Sequence, residues 1–138
     1  LETGKFARRI AADAPVRAVH YLPDGTVVGV VDSLTSYVRS GLRRWRPADG
    51  ELLWSSAEVD HPIRAFAATP DGAVLASGGW GDWGVVVTLW DAETGKVRPR
   101  PDGHAKAIHS LAFSADGKTV RTADETEMRG WDAATGRP

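Results

Sequence analysis

The stretch "RAVHYLPDGTVVGVV" (17–31) decides the fold because the chain writes it again, as "RAFAATPDGAVLASGG" (64–79) and as "HSLAFSADGKTVRTAD" (109–124). Each copy is an apolar run, an Asp-Gly pair and a second run. Asp-Gly between such runs signals a tight turn, because glycine readily takes positive φ. The pairs Asp24-Gly25, Asp71-Gly72 and Asp116-Gly117 are spaced by 47 and 45 residues. A tryptophan and a further turn follow each copy, in "RRWRPADGE", "TLWDAETGK" and "RGWDAATGR", and Trp45, Trp90 and Trp131 are spaced by 45 and 41.

A period of this length, with several short strands per unit, predicts an all-β chain of consecutive four-stranded antiparallel blades, a partial β-propeller. The first strands are expected at Val16–Tyr21, Ile63–Ala68 and Ile108–Phe113, and the second at Thr26–Val31, Ala73–Ser77 and Lys118–Thr122. The third, carrying the tryptophans, are Leu42–Trp45, Val85–Trp90 and Met128–Trp131. The fourth are Glu51–Ser56, Lys96–Arg100 and, out of phase at the start of the chain, Lys5–Ile10. Pro99 and Pro101 remove ladder donors, which makes that fourth strand an outer edge.

The unit resembles the WD-repeat family of β-propellers. The last copy is nearest the family pattern, with Gly103-His104, its Asp-Gly turn and Trp131-Asp132. The middle copy keeps Trp90-Asp91 without Gly-His, and the first has Trp45-Arg46. The resemblance implies a hydrogen-bonded set in the last blade of His104, Thr122, Trp131 and either Asp124 or Glu125. It implies Ser77, Trp90 and Asp82 in the middle blade, and Trp45 with Asp32 in the first. The chemical need is a partner for each buried indole and imidazole N–H.

The domain organisation follows as a lone outer strand (1–12), a blade (14–58), a second blade (61–102) and a three-stranded part of a third (104–138). "LETG" at the start matches "AETG" (92–95) and "AATG" (133–136), so the chain is cut out of phase with its blades. Propellers close with about four to eight blades. Further blades are therefore expected, from the same longer chain or from a homo-oligomer in which each copy lends its first strand. The absence of an initiator methionine favours the segment. An isolated copy is expected to expose apolar end-blade faces and open strand edges.

Composition narrows the partners. With 17 basic and 18 acidic residues the net charge is −1, which gives no electrostatic reason for nucleic acid or an anionic membrane surface. No apolar run is long enough to span a bilayer, and the first residues lack a signal-peptide core, which favours a cytoplasmic location. The chain has no cysteine, so disulfides and thiolate metal sites are excluded. The histidines, His20, His61, His104 and His109, show no metal-ligand spacing, and no phosphate loop or nucleophile elbow occurs. No cofactor and no catalysis are expected.

Two groups of residues are candidates for binding. The resemblance implies that the insertions "DSLTSYVRSG" (32–41) and "GWGDWG" (79–84) form loops on one face, offering Trp80, Trp83, Tyr37 and Arg39. Exposed tryptophans are enriched at binding hot spots, although either could fold back over the core. Arg17, Arg64 and His109 share one repeat position at the start of the innermost strand, where they would ring the channel mouth and hold a carboxylate or acidic peptide. The plainer alternative pairs them with acids such as Asp13 and Asp60.

The leading functional expectation is a protein–protein interaction scaffold that binds a protein or peptide through its loops. A second expectation comes from "RPADGELLW" (46–54), which resembles the tryptophan-docking repeat of quinone-dependent dehydrogenase propellers; Trp54 is also explained as an apolar residue packed on a neighbouring blade. A third is a purely structural, self-assembling ring unit.

Overall fold

The computed structural model describes residues 9–33, 39–81, 84–98 and 108–138, with the backbone alone at 80, 81 and 84–86. Three antiparallel sheets follow one another. Blade 1 holds β1 (Val16–Tyr21), β2 (Val27–Asp32), β3 (Ser40–Arg46) and β4 (Glu51–Ser55). Blade 2 holds β5 (Ile63–Ala68), β6 (Val74–Gly81) and β7 (Gly84–Asp91), and blade 3 holds β8 (Ser110–Phe113), β9 (Thr119–Ala123) and β10 (Met128–Asp132). The strands run in chain order from one edge of each sheet to the other, and the edge strands β1, β5 and β8 lie next to one another. The blades thus fan outward from a common axis, and the described sheets do not close into a ring.

The Asp-Gly turns are wider than two-residue hairpins. The amides of Gly25, Gly72 and Gly117 donate to Leu22, Thr69 and Ser114, and each glycine has positive φ (81°, 72° and 70°). In blades 2 and 3 the loop closes where Thr69 and Ser114 donate to the Val74 and Thr119 carbonyls. Their hydroxyls also accept the amides of Val74 and Thr119 at 3.0 Å each. Blade 1 has Leu22 instead, buried and without a hydroxyl, and its loop closes one residue sooner, on Thr26.

That shorter loop preserves the position of the tryptophans. A one-residue slip of a strand would move its side chains to the opposite face. Trp45 lies opposite Val27, Trp90 opposite Leu75 and Trp131 opposite Val120. All three therefore occupy equivalent places. Trp90, beside Ile63 of its own blade, packs toward Val28, Val30 and Leu42 of blade 1, and Trp131 packs toward Ala76 and Leu89 of blade 2. The middle strand β2, "VVGVV", is buried on both faces, as its unbroken apolar run requires, whereas innermost β1 is exposed throughout.

Two expectations need correction, and two more meet the described residues only in part. The described part of "GWGDWG" is strand rather than loop: β6 runs to Gly81 and β7 begins at Gly84, with Trp80 opposite Val85 and Gly81 opposite Gly84, while Asp82 and Trp83 lie outside the described residues. The β-branched run Val85–Val87 and the ladder bonds extend the hairpin through glycines that read as a break. Of the expected strand Lys96–Arg100, the described residues 96–98 carry one bridge, Val97 to Trp90, and residues 99 and 100 lie outside those described. β8 starts at Ser110 rather than Ile108, because Ile108 is buried against Gly78 of blade 2. Residues 9–12 of the expected lone strand carry no strand pairing; residues 1–8 lie outside those described. Ile10 and Ala12 instead line a small apolar cavity with Trp45, and Arg43 donates to the Ala12 carbonyl, so this segment crosses the flank of blade 1. Trp45 is consequently only 4% exposed, while Val16, Val19, Tyr21 and Leu52 on the same face remain open.

Candidate binding face

Arg17 and Arg64 owe their placement to backbone irregularity. The β1–β2 register shifts between Val16 and Ala18, and the β5–β6 register shifts between Ile63 and Ala65. Each arginine is thus the extra residue of a β-bulge, a device that re-aims a side chain out of the pleat. His109 stands at the same repeat position beside β8, where its amide donates to the Ala123 carbonyl. Between β1 and β5 lies a cleft of about 410 Å³ lined in part by Arg17, His20, Val30, Ile63, Arg64 and Phe66. His20 and Phe66 meet edge to face across it, with centroids 6.1 Å apart.

The acids that meet these cations are not Asp13 and Asp60. Arg17 donates through Nε to Asp32, which also accepts the Ser40 hydroxyl at 3.2 Å. The buried Ser40 hydroxyl in turn accepts the Ile63 amide at 3.2 Å, one residue before Arg64. A continuous hydrogen-bonded chain therefore joins the two bulges. Asp60 faces buried His61, Oδ1 to Nδ1, at 3.2 Å, and His109 stands 3.7 Å from Glu125. Arg64 is exposed and has no hydrogen-bond or ion-pair partner among the described residues. Asp32, expected beside Trp45, thus serves Arg17. Ser40 had no sequence signal: it falls in the insertion 32–41, ahead of the strand expected at Leu42–Trp45, whereas β3 begins at Ser40.

The hairpin β6–β7 rises at the same end of the blades as the bulges, since Gly79 pairs with Ile63. Trp80 belongs to β6; Trp83 and Tyr37 lie outside the described residues. Arg39 is exposed just before β3, and its carbonyl accepts the Ser33 amide.

The structural tryptophans differ in their partners. Trp90 donates to the Ser77 hydroxyl at 2.9 Å and Trp131 to the Thr122 hydroxyl at 2.8 Å. The corresponding place in blade 1 is Gly29, where a Cβ would come within 2.8 Å of the Trp45 ring, and Trp45 makes no hydrogen bond among the described residues. Asp124 caps a turn, accepting the amides of Thr126 and Glu127. His104 and Asp82 lie outside the described residues. Trp54 leaves its own blade: it covers Gly95 and donates through Nε1 to the Ala92 carbonyl at 3.1 Å. The sequence marked Trp54 as packing on a neighbour but not its carbonyl partner.

Among the described residues no group of three or more His, Asp and Glu is placed to hold a metal ion, and no helix is long and apolar enough to cross a membrane.

No family model matches the chain. The chain is 30% identical over 120 residues to the periodic tryptophan protein 2 homolog of Schizosaccharomyces pombe, covering 83% of this chain and 13% of that protein. It is 37% identical over 117 residues to the small ribosomal subunit protein RACK1y of Oryza sativa subsp. japonica, covering 85% of this chain and 33% of that protein. It thus spans a third or less of either relative. Among solved structures, the RRP9 WD40 repeats match with a TM-score of 0.73 at 17% identity over 90% of this chain and 37% of theirs. The computationally designed Ika4 protein matches with a TM-score of 0.65 at 21% identity over 85% of this chain and 65% of its own. With three fanned sheets, three equivalent tryptophans and WD-repeat relatives, the chain belongs to the WD-repeat family of β-propellers.

Proposed function

We propose that this chain is part of a protein-interaction scaffold that receives a protein or peptide partner at the end of the blades bearing Arg17, Arg64 and His109. A scaffold role in general is what its WD-repeat relatives imply. The observation that carries the finer reading is the coincidence of two features at one end. Two bulges turn arginines toward a shared cleft, and the lengthened β6–β7 hairpin, with Trp80 in its last turn of ladder, rises beside them. A hairpin that carries an aromatic residue at the end of the blades bearing exposed cations matches the composition of binding hot spots.

The test is affinity measured against purified partners first identified by capture on the immobilised chain. Trp80→Ala is expected to weaken at least one of them by about tenfold or more, as hot-spot aromatics do. Unchanged affinity for every partner, with the fold intact, would remove the hairpin from the interface and assign the binding to another surface; only the absence of any captured partner would favour a purely structural ring unit.

The quinone-dehydrogenase reading draws support from Trp54, which docks on the adjacent blade as that repeat would. Docking of this kind is packing, and it asks for no quinone. Saturable binding of pyrroloquinoline quinone would favour that reading instead.

A further inference from the structure

The geometry points to a specific ligand chemistry for the cleft between β1 and β5: a single carboxylate side chain, glutamate or aspartate, of a partner peptide, held by the guanidinium groups of Arg64 and Arg17. This inference rests on the scaffold reading and names its ligand class.

Three observations carry it. The first is availability. Arg64 is exposed with no partner among the described residues, and Arg17 commits only its Nε, to Asp32, which leaves its terminal nitrogens open. A guanidinium held by Nε still presents its other donors in a planar fork, the geometry that suits a carboxylate.

The second is preorganisation. Asp32 is fixed from three sides: it receives Arg17 and the Ser40 hydroxyl on its carboxylate, and its amide donates to the Pro15 carbonyl at 3.0 Å. Ser40 is buried and its hydroxyl is tied to the Ile63 amide. Arg17 is therefore aimed before any ligand arrives, and the same chain of bonds anchors the strand from which Arg64 projects. Asp32 acts as a positioning residue. Groups set in place beforehand lose less freedom on binding.

The third is charge. Arg17 and Arg64 supply two positive charges, and Asp32 offsets one. One unit remains, which a carboxylate neutralises and a doubly charged phosphate would overshoot. Phe66, Ile63 and Val30 offer apolar surface to the methylenes of the acidic residue and to an aliphatic neighbour.

The test uses three blocked tripeptides, acetyl-Leu-Glu-Leu-amide, its Gln counterpart and its phosphoserine counterpart, titrated into the chain. The amide resonances of Ala18, Ala65 and Phe66 report occupancy. The Glu peptide is expected to saturate these shifts, with the Gln peptide about tenfold weaker, the value of one charge-assisted hydrogen bond. Arg64→Met is expected to cost about tenfold or more, and Arg64→Lys to recover only part because it restores charge without the fork. Asp32→Asn is expected to weaken binding by a smaller factor while the shifts remain on the same amides. Resonances distant from the cleft show whether each variant keeps its fold, and Arg64→Lys carries the decision if Arg64→Met does not.

Equal affinity for Glu and Gln peptides, or a folded Arg64 variant that binds as well as the parent, overturns the inference. So does a phosphoserine peptide that binds more tightly than the Glu peptide. If none of the three peptides binds while Trp80→Ala still weakens a purified partner, the cleft assignment fails and the scaffold reading stands.

Discussion

Between blades 1 and 2 the Ala92 carbonyl accepts two hydrogen bonds, from Arg44 at 2.7 Å and from Trp54 at 3.1 Å, outside an apolar seam of Leu22, Val28, Val30, Leu42, Ile63, Leu75 and Trp90. Between blades 2 and 3 the seam is Ala76, Leu89, Val120 and Trp131, flanked by Leu111 and Phe113. The residue before the tryptophan is Arg44 in blade 1 and Leu89 in blade 2. Among the described residues the first joint therefore adds directional donors to burial, whereas the second shows burial alone. Hydrophobic contact is non-directional, so an apolar seam tolerates small rotations that a doubly bonded carbonyl resists. One repeat pattern thus supports two kinds of joint, and the difference resides in residues that the pattern leaves free.

The sharpest way to break this comparison is through glycine. A Cβ on Gly95 would approach Trp54 Cε3 to 2.6 Å, and Gly95 also has φ +69°. A Cβ on Gly117, at the joint of blades 2 and 3, would meet its nearest atoms at 3.5 Å with a similar φ of +70°. Both Gly→Ala changes bear the left-handed backbone cost of about 1–2 kcal/mol. Gly95→Ala adds a crowding cost of about 1–3 kcal/mol, because the Trp54 ring cannot retreat without losing its bond to Ala92. Urea unfolding is expected to show the larger loss for Gly95→Ala, and Trp54→Ala in that background should recover the crowding component. Equal losses at the two glycines would mean that Trp54 does not constrain the first joint.

A smaller effect separates the tryptophans. Trp90→Phe and Trp131→Phe each remove an indole N–H from a buried hydroxyl, Ser77 or Thr122, and each should cost about 1–2 kcal/mol beyond the loss of ring area. Trp45→Phe removes no hydrogen bond among the described residues and should cost less by about 1 kcal/mol. The measurement is the same denaturant midpoint for all three, and a Trp45 loss equal to the others would show that its indole finds a partner after all.

How much of this was legible depends on whether a feature is local. β1 and β5 occupy the bounds read from their apolar runs, because a proline or Asp-Gly turn stops them on one side and the repeat fixes them on the other. The lengthened β6–β7 hairpin was hidden, since glycines that read as a break are held by ladder bonds to a β-branched strand. The shared repeat position of Arg17 and Arg64 was visible, but not the bulges. Nor was the acid that Arg17 meets: Asp32 becomes its neighbour only when β2 folds back, and the expected Asp13 and Asp60 lie nearer in sequence to the starts of β1 and β5. Ser40 bridges two blades and has no signature along the chain. The paired donors on Ala92 are long-range contacts of the same kind.

The gentlest distinction between the blades is in their turns, and acid should reveal it. The Thr69 hydroxyl, followed by the Ala73 amide, holds Asp71 below the ordinary carboxylate value of 3.8. The Ser114 hydroxyl and the Lys118 amide do the same for Asp116. In blade 1 the hydroxyl comes from the other end of the loop, where Thr26 lowers Asp24 through its side chain and then its amide, with Arg44 adding to the effect. A carboxyl whose folded-state pKa is depressed contributes stability that is present above its unfolded value and lost as pH falls through its folded value. The melting temperature should therefore fall as pH drops below about 4. Removing the hydroxyls with Thr69→Val and Ser114→Ala should let Asp71 and Asp116 rise toward their ordinary value. Stability near neutral pH should then be somewhat lower, and the acid limb shallower. Thr26→Val should flatten that limb less, because the Thr26 amide and Arg44 remain to hold Asp24. An acid limb unchanged in the doubly substituted chain would assign the acid sensitivity to groups outside these turns, such as Asp91, which Arg98 lowers from within blade 2.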